Sequence, residues 1–203
     1  MAVAALTAGV LHQLLPATFR VSPHWVYPAF LIAFLVMLIV GDPGRIDRER
    51  PWLHVTTGLM IGLITVVNAV AAIRLVIDIL AKGKFDTAGE LLGIGGIVWV
   101  TNVIAFALWF WDLDGGGAAS RAAGHGTKLR AFVFPEMTMP EMVAVDWYPQ
   151  FADYLALSFN TATAFGPTDV SAIKRWAKLL MSTESAISLT LATLVIARAI
   201  NIM

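Results

Sequence analysis

The sequence predicts an all-α membrane protein of about five helices, the first one short, with a re-entrant, pore-like hairpin before the last helix. Three observations lead there. The chain is 58% hydrophobic and 14% charged, with a mean hydropathy of +0.75, whereas roughly a quarter of the residues of a water-soluble domain are charged. Its apolar runs reach the roughly 20 residues that a helix needs to cross a bilayer. A polar stretch, "FNTATAFGPTD" (Phe159–Asp169), interrupts the apolar sequence just before the final run. Positions 1–203 read as a single membrane domain.

Ala2–Leu15 is apolar but short and is followed by Pro16 and Arg20. It lacks the basic start and the cleavage site of a secretory leader, so a short first helix is expected, with the interface as one setting for it. Trp25–Gly41 is a clear span whose Trp25 and Tyr27 suit the headgroup region. Trp52–Leu80 is long enough to cross with tilt. Leu91–Trp111 ends in "WFW", and Leu179–Met203 is the last span. Residues 113–149 form a loop segment, glycine-rich in "DLDGGG" and stiffened by Pro135 and Pro140. Residues 150–203 hold a short apolar helix (Gln150–Ala164), the polar turn and the last helix.

Cations give an orientation. If Gln150–Asp169 dips in and returns, then Arg45, Arg48, Arg50, Arg121, Lys128, Arg130, Lys174, Arg175 and Lys178 share one face. Lys82 and Lys84 fall in the opposite loop. A full crossing would nearly erase this bias, so the expected topology is a hairpin opening to the cytoplasm from the inner (plasma) membrane, in a multi-pass protein.

The candidate site follows from the backbone. In lipid every peptide group needs a partner, so irregular chain at depth survives only within protein or beside water. Pro167 biases Gly166 towards extended geometry, and Gly166 adopts conformations closed to other residues. Freed carbonyls and threonine hydroxyls are the groups that replace an ion's water shell. The expected pore-lining residues are therefore Asn160, Thr161, Thr163, Ala164, Phe165, Gly166 and Asp169. Glu184, in the Ser- and Thr-rich "MSTESAISLT", is either a cation-facing group or a buried interhelical hydrogen-bonder. A polar loop at the membrane surface is the competing reading of the same stretch.

The stretch "DYLALSFNTATAFGPTD" resembles the pore helix and filter of tetrameric potassium channels, where an aromatic-rich helix leads to Thr-Thr-Val-Gly-Tyr/Phe-Gly-Asp. Thr161, Ala162, Thr163, Ala164, Phe165 and Gly166 then stand against the six filter positions. Ala164 replaces the first filter glycine, and Pro167 and Thr168 intervene before Asp169. The resemblance implies an oligomeric pore, a tetramer by analogy, but potassium selectivity is not implied, since alanine tolerates left-handed geometry poorly. The wider pattern "LRAFVFPE…DYLALSF…TDV…RWAKLL…ARAINI" is similar to bacterial membrane proteins of the DUF1345 group. That similarity implies a multi-span fold and no particular activity.

Other features point elsewhere or nowhere. The net charge of zero leaves no electrostatic footprint for nucleic acid, and the lack of cysteine excludes disulfides and thiolate chemistry. His12, His24, His54 and His125 lie on separate segments and read as interfacial rather than haem-binding. Arg74 and Asp78 are spaced to pair along one helix face. Asn68 and Asn102 fall within apolar helices, where polar groups usually turn to the bundle. Asp112 and Asp114 are expected at the interface, capping or pairing with cations such as Arg121. "DLDGGG" lacks the Gly-Lys-Ser/Thr of a phosphate loop. Met137, Met139 and Met142 read as loop anchors. No enzyme, metal or cofactor is expected. The function expected is an oligomeric, cation-conducting channel with a backbone- and Thr-lined pore loop, whose partners are its own copies, the lipid bilayer and inorganic cations. The alternatives are a non-conducting scaffold subunit and, behind it, a small-solute transporter.

Overall fold

The computed structural model describes residues 1–41, 51–81, 85–117, 121, 130–142, 147–163 and 169–202. Among these are seven helices: α1 (Ala2–Leu14), α2 (Val26–Gly41), α3 (Pro51–Leu80), α4 (Ala88–Leu113), α5 (Pro135–Thr138), α6 (Phe151–Thr163) and α7 (Arg175–Ile202). Two short strands, β1 (Phe132–Val133) and β2 (Ser171–Ala172), pair antiparallel. The all-α membrane class therefore holds, with this small sheet as an addition. Three helices are long and apolar enough to cross a membrane: Trp52–Leu80, Ala88–Gly116 as one unit with its terminal turn, and Arg175–Ile202. α1 and α2 are shorter apolar helices.

α4 is the hub. Of its most apolar stretch 67% is buried, against 22% for α7, so α4 runs through the bundle while α7 keeps a broad outer face. Its start is fixed locally: Thr87 caps it by accepting from the Glu90 amide (3.1 Å), and the Glu90 carboxylate reaches back to the Asp86 amide (3.0 Å). Apolar burial does not by itself drive helices together in lipid, so close packing over small residues carries more of the association. A β-carbon on Gly95 would come within 2.8 Å of Val195 on α7, which brings the two backbones close. Gly9 of α1 takes the Leu31 side chain of α2 in the same manner.

α1 buries one face against the bundle, while Val3, Leu6, Val10 and Leu14 stay exposed on the other. Ala5 and Ala8 are inaccessible and pack with Met60, Ile61 and Ile64 of α3 and Ala105 and Leu108 of α4. His12 is buried too, with its ring edge-on to Tyr27 at 4.7 Å. The small side chains of "AVAALTAGV" let a short helix fit this crevice. Arg74 donates to the Thr18 (3.3 Å) and Arg20 (2.7 Å) carbonyls instead of pairing with Asp78, so the spacing-based ion pair is also corrected.

At the far end of α4 the chain reverses through Gly115, Gly116 and Gly117, which have φ of 58°, 87° and 95°. These left-handed angles favour glycine, and His54 leaves no room for a β-carbon on Gly117. The run that superficially suggested a phosphate loop is a chain reversal.

Candidate functional site

The site is built on the packing of α6 against α4 and α7. α6 begins at the Asp114 end of α4, where Asp114 is fully buried. Its Oδ1 accepts from the Ala131 (2.6 Å) and Phe132 (3.3 Å) amides, and its Oδ2 accepts from the Tyr154 hydroxyl (2.7 Å). Arg121 donates to the Trp111 (2.7 Å) and Asp114 (2.5 Å) carbonyls, and its guanidinium lies over the rings of Trp111 and Tyr154. Burial, and then the neighbouring Asp114 carboxylate, push the Tyr154 phenol up and keep it a donor. Asp114 is thus a buried organiser at the C-cap of α4, beside Arg121, that ties α4, β1 and α6 together. Asp112 is only partly buried.

From there α6 runs along α4 and α7. Ser158 lies one turn beyond Tyr154 on the same face, and Thr161 follows three residues on, as helical spacing dictates. Ser158 Oγ stands 2.7 Å from the Val103 carbonyl of α4 and is hydrogen-bonded to Glu184 Oε1 of α7. Glu184 is fully buried, and its Oε2 has no partner. One turn along α7, Ser188 Oγ accepts from Asn102 Nδ2 (3.3 Å). In the amide orientation that satisfies both neighbours, Asn68 donates to the Val98 carbonyl (3.2 Å) and accepts from the Asn102 amide (3.3 Å). A string of polar groups therefore crosses the bundle from α3 through α4 and α7 to α6. Asn68 and Asn102 also line a cleft of about 680 Å³ between α3, α4 and α7, whose walls are otherwise mostly apolar, with Trp109, Thr183 and Thr190.

The residues expected in the pore divide. Thr161 faces inward: its hydroxyl donates to the Leu157 carbonyl (2.8 Å), and its own carbonyl accepts from Ser185 (3.0 Å). It is a packing residue in the last turns of α6, where the sequence suggested a filter group. Thr163 is exposed at the end of α6 and donates to the Phe159 carbonyl (2.8 Å). Asn160 and Asp169 are exposed. Of the two roles open to Glu184, the single chain has the interhelical hydrogen bond. Ala164, Phe165 and Gly166 lie outside the described residues, as do Arg45, Arg48, Arg50, Lys82, Lys84, Lys128 and His125. Sequence reasoning missed the pairings of Asp114 with Tyr154, of Ser158 with Glu184 and of Ser188 with Asn102. The i, i+4 spacings of Tyr154 with Ser158 and of Glu184 with Ser188 were the available signal. Among the described residues no group of three or more His, Cys, Asp or Glu could hold a metal ion.

Fold and site together define a helical membrane protein with a buried interhelical polar core. Searches of family models, curated proteins and solved structures returned no match for this chain.

Proposed function

We infer that the protein is an oligomeric channel of the inner (plasma) membrane that passes inorganic cations along a path formed by the α6 hairpin of several copies. The observation that carries this reading is where the chain goes after α6. It starts its descent beside Asp114, and by Ser171–Ala172 it is paired with Phe132–Val133, and the Phe132 amide donates to that same Asp114. Thirteen helical residues descend about 20 Å at 1.5 Å each. The eight steps from Thr163 to Ser171 can climb about 26 Å when extended. A helix that enters and a chain that ends on the side it entered are the form of a pore loop, and exposed Asn160, Thr163 and Asp169 supply its polar rim. One hairpin encloses nothing, so copies must meet around an axis. A tetramer follows from the potassium-channel resemblance alone, as does the grouping with DUF1345 proteins from the wider pattern.

The test is flux from liposomes holding purified protein, with K⁺, Na⁺ and Cl⁻ compared. Cation flux above that of empty liposomes is expected. Asp169→Asn should lower it more at low salt than at high, because an exposed mouth charge is screened over about 8 Å at physiological ionic strength. A monomer in nanodiscs, or a parent protein that passes nothing, overturns the reading in favour of a non-conducting subunit.

A further inference from the structure

The polar core contains a proton that can be located by counting donors. Ser158 has one hydroxyl hydrogen and two oxygens within reach, the Val103 carbonyl and Glu184 Oε1. If Glu184 were a carboxylate, the hydroxyl could serve only one of them. The other contact would then be two oxygens facing each other without a hydrogen. Both contacts are satisfied together when Glu184 carries the proton, donates to Ser158 Oγ, and Ser158 donates to Val103. The unpartnered Oε2 agrees: in the acid it is a neutral carbonyl oxygen, whereas in the carboxylate it would hold half a charge with no donor, at a much greater cost.

We propose that Glu184 is a proton-binding site, and that the bound proton latches α6 onto α4 and α7 through Ser158. Release is simple acid dissociation: the O–H bond breaks, the proton passes to water, and the electron pair stays on the carboxylate. Ser158 must then turn its hydrogen to Glu184 and abandon the Val103 carbonyl, so its hydrogen bond from α6 to α4 is lost. The regulation of the pore by this latch rests on the channel reading; the latch itself does not.

The surroundings offer no substitute for the proton. On α6 the titratable groups are Tyr154, bonded to Asp114, and Asp153, which accepts from the Gln150 amide at the helix start. α7 carries Arg175 and Lys178 in its first turn and Arg198 in its last turns, and α4 carries Glu90 and Asp112 near its two ends. α3 has His54 at its start, Arg74 turned to the Thr18 and Arg20 carbonyls, and Asp78 near its end. Among the described residues no cation is paired with Glu184.

The experiment follows two signals across a pH series in lipid nanodiscs, for the parent, Glu184→Gln and Ser158→Ala. Infrared difference spectra should show a protonated carboxylic acid band in the parent that is absent from Glu184→Gln. Hydrogen exchange of the amides of residues 155–163, corrected for the intrinsic pH effect, should report the latch. The stabilising proton is held at low pH and lost as pH rises. Protection in the parent should therefore fall by up to about tenfold per pH unit over the range in which the band disappears. Glu184→Gln, whose amide still donates to Ser158, should stay protected throughout. A band unaltered in Glu184→Gln, or parent and Gln variant losing protection in parallel, overturns the proposal. Should Glu184→Gln fail to fold, Ser158→Ala decides: it removes the acceptor, so the acid band must shift, and an unmoved band overturns the proposal. Neither signal needs ion flux, so the pore reading and the latch can fail separately.

Discussion

Asp114 shows what one side chain can organise. It gathers two backbone amides and a phenol that would otherwise be buried without acceptors, and each unsatisfied buried group costs about 1–3 kcal/mol. Tyr154→Phe leaves Oδ2 bare and should lower stability by about that amount. Asp114→Ala orphans three donors at once and should lower it further. Denaturant unfolding of the two variants in bicelles measures both, and an Asp114→Ala protein as stable as the parent would contradict this role. The sequence was silent here for a physical reason. An acid at the end of an apolar helix, beside glycines and an arginine, does not reveal its backbone partners, because β1 reaches it from some 17 residues away. Asn68 and Asn102 were easier to read, because polar groups in apolar helices have few places to go but inward, and both are buried.

At the level of elements, the long apolar runs gave the helices well. α6 was expected over Gln150–Ala164 and is found over Phe151–Thr163. Length and apolarity alone could not say which face of α1 packs against the bundle. Its alanines settle it only once α3 and α4 are there to receive them. The close approach of α4 and α7 at Gly95 was likewise invisible without the pairing of those two helices. Gly95→Leu puts bulk where even a β-carbon is too close to Val195, and overpacking of this kind costs about 1–3 kcal/mol. Val195→Ala in the same chain should recover part of that loss, as expected for residues in contact. Unfolding in bicelles of the two single variants and the double variant tests this, and strictly additive effects would show that the two positions do not meet.

For the molecule as a whole, the account turns on one topological claim, that α6 leaves the membrane by the face it came from. The cation bias suggested it, and the pairing of β1 with β2 supports it, although three of the residues expected to line the turn lie outside the described structure. The chain has no cysteine of its own, so single-cysteine labelling gives an unmixed signal. Tyr148 precedes α6, Ser171 follows the turn, and Asp86 lies in the connection at the opposite end of α4; all three are exposed. With a membrane-impermeant thiol reagent on oriented vesicles, Tyr148→Cys and Ser171→Cys should label from the cytoplasmic side and Asp86→Cys only from the other. Labelling of Ser171→Cys from the same side as Asp86→Cys would mean that the segment crosses completely, and the hairpin with the pore built on it would be wrong.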